Sequence, residues 1–289
     1  RLRPFLLHLS SQPGGIDFED ILPIAAGIEM VQLSTLIIDD VLDRSPLRNN
    51  RPSVFAKRGL EEAISIGTAI SSEGLSLIAR SFSVNSGLKN GLPIIKLMTE
   101  TMSNVYMGQI LDLRMEGDTS VAESHYLEMI SRTTACFIQA PLVSGAMLWD
   151  ASDEVIRTIK NVGYSLGMAY QIRDDVIDVI GDPECMGKPV GGDLRQCKMR
   201  LPTIQALFEL SGAKKEWFNG LLRKRRISGE ALDEAINTIL ETNSIQYCIT
   251  KTKEYCEQAL DSINHLPREL ANFKRQIGDV ANIISNFDN

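Results

Sequence analysis

The stretch LIIDDVLDRSPLRNNRPS, Leu36–Ser53, decides the fold. Its acids Asp39, Asp40 and Asp43 interrupt an apolar run in which Ile28, Val31, Thr35 and Ile38 recur at three- and four-residue steps, the period of a helix with one buried face. On such a helix positions i and i+4 lie one turn apart on the same side, so Asp39 and Asp43 form a two-carboxylate claw. Neighbouring carboxylates repel and raise each other's pKa unless a cation lies between them. The loop that follows brings two cations, Arg48 and Arg51, on either side of Asn49 and Asn50. The stretch QIRDDVID, Gln171–Asp178, repeats the arrangement with Asp174, Asp175 and Asp178, and the segment after it carries Lys188 and Lys198. A solvated acidic turn accounts for one such motif. Two of them on otherwise apolar helices, each followed by cations, point to a hard metal ion. Carboxylate oxygens suit Mg2+, which keeps several waters and takes its remaining ligands from phosphates. Metal-bound acids and basic side chains facing one cavity describe a site for a diphosphate, neutralised from both sides.

Outward from these motifs the helical period persists. Glu61–Phe82, Leu92–Leu113, Glu123–Trp149, Glu154–Ile180 and Leu201–Leu210 all show it, and a last group runs from Gly229 to the end. Breakers separate them: PGG at 13–15, NSGLKNGLP at 85–93, EGDTS at 116–120 and GDPECMGKPVGGD at 181–193. Ser120 with Glu123 three residues later, and Asp153 ahead of Glu154, are expected helix N-termini. The sequence shows no strand series and no glycine fingerprint after a strand. With no composition break, the expectation is a single all-α domain over residues 1–289, a bundle of about ten or more helices. The opening RLRPFLL reads as the middle of a helix, so the N-terminal helix is expected to be incomplete.

A chain of 289 residues, 44% of them hydrophobic, can bury a substantial core. The net charge of -7 argues against a nucleic-acid partner. No run of about 18 uncharged apolar residues is present, so no membrane span is expected. The five cysteines, Cys136, Cys185, Cys197, Cys248 and Cys256, are odd in number and lack a C-x-x-C pair, which reads as reduced thiols in a cytoplasmic protein. RKRR at 223–226 reads as a solvated helix end, and His8, His125 and His265, outside every motif, as structural.

LIIDDVLDRSPLR…RPS, GQILDL at 108–113, RTTACF at 132–137 and QIRDDVIDVIGDPECMGKPVGGDL…K…LP, together with the opening RLRPFLL, resemble the trans-isoprenyl diphosphate synthases. The resemblance covers essentially the whole chain. It implies the isoprenoid synthase fold, an all-α bundle around a central active-site cavity, usually as a homodimer. It implies three Mg2+ ions that clamp an allylic diphosphate between the two acidic helices. Departure of diphosphate then leaves an allylic carbocation, which the double bond of isopentenyl diphosphate attacks. The proton leaves to the released diphosphate, so no histidine base is needed. Asp39, Asp43 and Asp174 are the implied metal ligands, supported by Asp40, Asp175 and Asp178. Arg48, Lys188 and Lys198 are implied to hold the allylic diphosphate, with Arg132 (where the family has lysine), Thr133 and Gln171.

The pattern departs from the family on one side. The second of its two arginines after the first claw is Asn49, and its following glycine-lysine is Asn50-Arg51. Its histidine seven residues before the first acid is Gln32, and the one just before the acids is Ile38. Arg3 matches a family contact. The allylic half of the site is therefore complete, while the isopentenyl half, Arg3, Gln32 and Asn49, is weakened. One lost arginine–phosphate contact amounts to about 1.5–3 kcal/mol, or roughly one to two decades of affinity. The leading expectation is elongation of an allylic C5–C20 diphosphate with isopentenyl diphosphate. The alternatives are an allylic-diphosphate enzyme that does not use isopentenyl diphosphate (a terpene cyclase or a prenyltransferase to another acceptor) and a subunit of a heteromeric synthase. In the family an aromatic side chain shortly before the first acid stops chain growth. Here Val31, Ser34 and Thr35 stand eight, five and four residues before Asp39, and Ser34 and Val31 are expected nearly beneath it. An open tunnel and products of C20 or longer are therefore expected; the alternative is that these small residues let a neighbouring helix pack closely.

Overall fold

The computed structural model describes residues 2–85, 87–181 and 190–287. Its helices are α1 (Leu2–Ser11), α2 (Phe18–Leu42), α3 (Val54–Arg58), α4 (Leu60–Val84), α5 (Gly91–Met115), α6 (Glu123–Ile130), α7 (Cys136–Leu148) and α8 (Asp153–Ile180), then α9 (Gly192–Arg195), α10 (Leu201–Glu209), α11 (Gly212–Leu222), α12 (Glu230–Leu240), α13 (Ser244–Asn264) and α14 (Ala271–Ser285). The expected all-α architecture is the observed one. Among the described residues the strand content is a short antiparallel ladder that pairs Leu47 with Pro52 and Arg48 with Arg51.

Two expected helix starts shift. The His125 ring closes the first turn of α6, its Nδ1 accepting the Ala122 N–H at 3.2 Å, whereas Ser120 donates its N–H and hydroxyl to Asp118. Ahead of α8 the cap is Ser152, whose hydroxyl accepts the Val155 N–H at 3.3 Å. Asp153 is the first residue inside that helix.

The chain divides into two compact units, and the first comprises Arg1–Val105, Cys136–Tyr164 and Leu260–Asp279. Its core gathers Leu7, Ile21, Ile24, Ile28, Val31, Ile78, Ile94, Met98 and Phe137. Each such aliphatic side chain contributes about 1.5–3 kcal/mol when fully buried. Helix α2 packs on α4 along a seam of small residues. A Cβ on Gly27 would lie 2.6 Å from the Gly74 carbonyl oxygen, and one on Gly74 would lie 2.7 Å from that of Gly27. Only hydrogen fits at either place, and the two backbones approach closely for that reason. Farther along, Gly67 makes room for Ile37 and Ile38. Helix α2 is long and apolar enough to cross a membrane by length and composition, and half of that window is buried inside the fold, where the helix packs on α4.

The second unit comprises Tyr106–Ala135, Ser165–Ala259 and Val280–Asn289. Its core gathers Met115, Tyr126, Met129, Ile172, Val176, Leu201, Phe218, Leu222, Ile239 and Cys248. Immediately after α6, Ser131–Ala135 winds as a π-helical turn, a wider coil that recurs at functional sites. Two glycines admit it. A Cβ on Gly108 of α5 would meet Thr133 Cγ2 at 2.6 Å, and one on Gly167 of α8 would meet Ala135 Cα at 2.4 Å.

Candidate functional site

Helix α2 ends at Leu42, and the Asp43 N–H donates to the Asp39 carbonyl at 2.9 Å. The chain then turns back on itself. The Ser45 N–H donates to the Asp40 carbonyl at 2.8 Å, and the Ser53 hydroxyl donates to the Ser45 carbonyl at 2.6 Å while capping α3. Between them Asn49 and Asn50 have φ of 51° and 58°. A two-residue hairpin with both central residues left-handed is a type I′ turn, and asparagine and glycine occupy it with least strain. This hairpin carries Arg48 onto the claw. Its Nη2 donates to Asp39 Oδ2 at 2.9 Å and to Asp40 Oδ1 at 2.6 Å, and its Nε to Asp40 Oδ1 at 2.9 Å. Burial raises the Asp40 pKa above the usual carboxylate range, with Arg48 opposing. Burial works against the Arg48 charge as well, but Asp40 and Asp39 outweigh it and push its pKa up. Asp40 is 3% exposed, whereas the Asp39 side chain keeps 24%.

Helix α8 repeats this division of labour. Asp174 is exposed and Asp175 is buried. Asp175 accepts from the Tyr126 hydroxyl and from Gln171 Nε2, both at 2.7 Å, and Gln171 Oε1 accepts from the Thr134 hydroxyl at 2.6 Å. Burial drives the Asp175 pKa well above the usual carboxylate range, with Arg200 opposing. The Arg200 guanidinium grips Asp112 through Nη1 at 2.5 Å and Nη2 at 3.1 Å, and its Nε lies 3.3 Å from Asp193 and 4.0 Å from Asp175. Asp178 accepts the Asp193 N–H at 3.0 Å on its carboxylate and the Gly191 N–H at 2.6 Å on its carbonyl. Gly191 adopts φ 73°, and a Cβ on Gly192 would crowd the Asp178 carboxylate at 3.2 Å, so this turn requires its glycine pair. Lys198 Nζ approaches Asp112 at 3.7 Å.

In both motifs, then, the middle acid is locked inside and the first acid faces outward. Among the described residues no group of three or more His, Cys, Asp or Glu side chains is arranged to hold a metal. Two carboxylates per claw leave positions for water and phosphate oxygens, the coordination habit of Mg2+, so the donor set fits that ion.

The other expected site residues are placed as follows. Arg132 and Thr133 lie on the π turn, Arg132 pairing with Glu128 at 3.0 Å and Thr133 donating to the Met129 carbonyl at 3.1 Å. Gln171, expected at the diphosphate, has both ends of its amide taken by Thr134 and Asp175. Lys188 lies outside the described residues. In the isopentenyl half, the Arg3 guanidinium stacks 4.8 Å above the Phe137 ring, Gln32 Oε1 is buried with no hydrogen-bond partner among the described residues, and Asn49 is exposed at the hairpin tip.

The residues beneath Asp39 differ from those expected. At about 100° per residue, Gln32 and Thr35 lie within about 40° of Asp39, whereas Val31 lies about 80° and Ser34 about 140° away. Val31 is fully buried and would meet a Cβ on Gly74 at 3.1 Å, while Ile38 faces Gly67. Ser34, also fully buried and donating to the Val31 carbonyl at 2.7 Å, shares that side of the helix.

The sequence reading missed Asp112, Tyr126, Thr134, Asp193 and Arg200. Asp112 had a signal, four residues after Gly108 within GQILDL, and Arg200 stands two after Lys198. Thr134 stands within RTTACF beside the expected Thr133, whereas nothing in the sequence marks Tyr126. A separate cavity of about 200 Å³ on α5 and α6, bordered by Arg114, His125 and Glu128, contains none of these residues.

Comparison with known proteins gives a consistent picture. The family described as polyprenyl synthetase matches residues 1–239. Geranylgeranyl diphosphate synthase from Methanosarcina mazei is 32% identical over 266 residues, covering 92% of this chain and 79% of that protein. Geranylfarnesyl diphosphate synthase from Aeropyrum pernix is 30% identical, with 92% and 83% covered. The crystal structure of geranylgeranyl pyrophosphate synthetase from Pyrococcus horikoshii superimposes with a TM-score of 0.87 at 25% identity, over 99% of this chain and 86% of that one.

Proposed function

The chain belongs to the polyprenyl synthetase family of prenyltransferases and has the isoprenoid synthase fold, and we propose that it elongates an allylic isoprenyl diphosphate with isopentenyl diphosphate to a trans-prenyl product of C20 or longer. One observation carries this reading. Each of two D-D-x-x-D motifs buries its middle acid against fixed donors and turns its first acid outward. The relatives' products, geranylgeranyl and geranylfarnesyl diphosphate, support the product length.

In this reading Asp39, Asp43 and Asp174 would hold Mg2+, three ions by the family's pattern, which supplies positive charge to the departing diphosphate when bound. Arg48, Arg132, Thr133, Lys188 and Lys198 orient the allylic diphosphate. The carbon–oxygen bond breaks with both electrons going to diphosphate, the isopentenyl double bond attacks the cation, and diphosphate removes the proton. Asp40 and Asp175 keep the outer acids in register through Arg48, Tyr126 and Gln171. The protein acts as a cytoplasmic homodimer. Its weakened acceptor half, Gln32 and Asn49, favours one second reading, an allylic-diphosphate enzyme with another acceptor. Incubation of a C10 or C15 allylic diphosphate with and without isopentenyl diphosphate, followed by extraction and sizing, decides between them. Elongation requires both substrates; consumption of the allylic diphosphate alone sinks it.

A further inference from the structure

Arg200 lies in no acidic motif, yet its side chain, 12% exposed, faces three carboxylates. Its paired nitrogens fork onto Asp112, and its Nε lies within ion-pair distance of Asp193 and Asp175 without a hydrogen bond to either. Asp193 is a junction in its own right. Its N–H donates to the Asp178 carboxylate at 3.0 Å, and its carbonyl accepts the Lys198 N–H at 3.0 Å. The segment from Gly191 to Arg200 is thus a closed turn on the second acidic motif, with Arg200 as its clasp.

We propose that Arg200 is a positioning residue: a resident cation that holds Asp112, Asp175 and Asp193 and thereby presents Lys198 to the diphosphate. The proposal rests on the reading above that this motif takes a diphosphate. Two features separate it from an ordinary buried ion pair. A simple pair with Asp112 could be exchanged for apolar groups at little cost, but the buried Asp175 would then lose the Arg200 charge that opposes its burial. The two-nitrogen fork on Asp112 also uses the flat shape of a guanidinium, which an ammonium lacks, and holds the charge close to the other two carboxylates.

The test compares Arg200→Met, Arg200→Lys and the double variant Asp112→Asn/Arg200→Met with wild type. Binding of inorganic pyrophosphate in saturating Mg2+ is measured by calorimetry, and KM is measured separately for the allylic and isopentenyl substrates. Pyrophosphate affinity is expected to fall by about one to two orders of magnitude in Arg200→Met and in the double variant, with partial recovery in Arg200→Lys. The allylic KM should follow while the isopentenyl KM stays put. If Arg200→Met does not fold, the double variant, which strands no charge at position 112, carries the test. Pyrophosphate binding by the double variant within about twofold of wild type overturns the proposal, because Arg200 then serves only Asp112. A wild type that binds pyrophosphate but does not elongate overturns the functional reading and leaves the Arg200 result standing; one that binds none overturns both.

Discussion

Arg48 Nη2 lies 2.6 Å from Asp40 Oδ1 and 2.9 Å from Asp39 Oδ2, so one guanidinium ties a buried acid to the outward acid beside it. The cation expected to meet substrate is at the same time the charge that lets two adjacent carboxylates coexist. An ion held at Asp39 would replace part of the charge that Arg48 supplies there, and the bonds to Asp40 would still hold the hairpin over the claw.

The two acids should therefore respond differently to substitution. Asp39→Ala, and equally Asp174→Ala on α8, is expected to lower turnover by about three orders of magnitude, since metal charge at a departing group is worth several kcal/mol. The far-UV circular dichroism spectrum should not change. Asp40→Asn should retain more activity and bind the allylic diphosphate less tightly. Near-normal turnover in either alanine variant, or in excess chelator, sinks the two-claw mechanism.

The hairpin tip yields a prediction about stability. Asn49 and Asn50 hold left-handed backbone, which costs other non-glycine residues about 1–2 kcal/mol. Asn49→Gly should leave the melting temperature nearly unchanged, and Asn49→Arg should lower it. If isopentenyl diphosphate is the acceptor, Asn49→Arg with Gln32→His should nevertheless lower its KM, as expected of a contact made equally in ground and transition states. An unchanged KM would favour the other-acceptor reading.

Tyr126→Phe removes a 2.7 Å hydrogen bond to the buried Asp175. Leaving a buried acid short of a donor costs about 1–3 kcal/mol. The midpoint of thermal unfolding should fall by several degrees, more than in Tyr247→Phe, whose hydroxyl bonds the more exposed Glu123. Equal midpoints in the two variants would mean that Asp175 does not depend on this donor.

Why the outer acids were legible in the sequence and their anchors were not follows from how each is encoded. The claws announce themselves by local spacing, because i and i+4 share a helix face whatever surrounds them. The helices likewise declare their period, as Ile28, Val31 and Ile38 do on α2. Tyr126 and Arg200 reach Asp175 across 49 and 25 positions of chain, Asp112 meets Arg200 across 88, and no local pattern records such meetings. The type I′ turn is written in Asn49-Asn50, because asparagine tolerates the left-handed backbone that both central positions require.

The same geometry revises the prediction of product length. Ser34 is fully buried on the side of α2 that meets α4, so Ser34→Phe adds a ring to a closed seam. Overpacking of that kind costs about 1–3 kcal/mol, and the expected result is a less stable protein. Thr35, 8% exposed and about 40° from Asp39 around the helix, is the better candidate for a floor below the claw. With a C15 primer, wild type should give C20 or longer products, and Thr35→Phe should shift them toward shorter chains with its melting temperature nearly unchanged. Chromatography of the dephosphorylated products, beside a thermal melt of both variants, separates the two effects. A stable Ser34→Phe protein with shortened products, together with an unaltered Thr35→Phe product, would place the growing chain on the α4 side and refute this assignment.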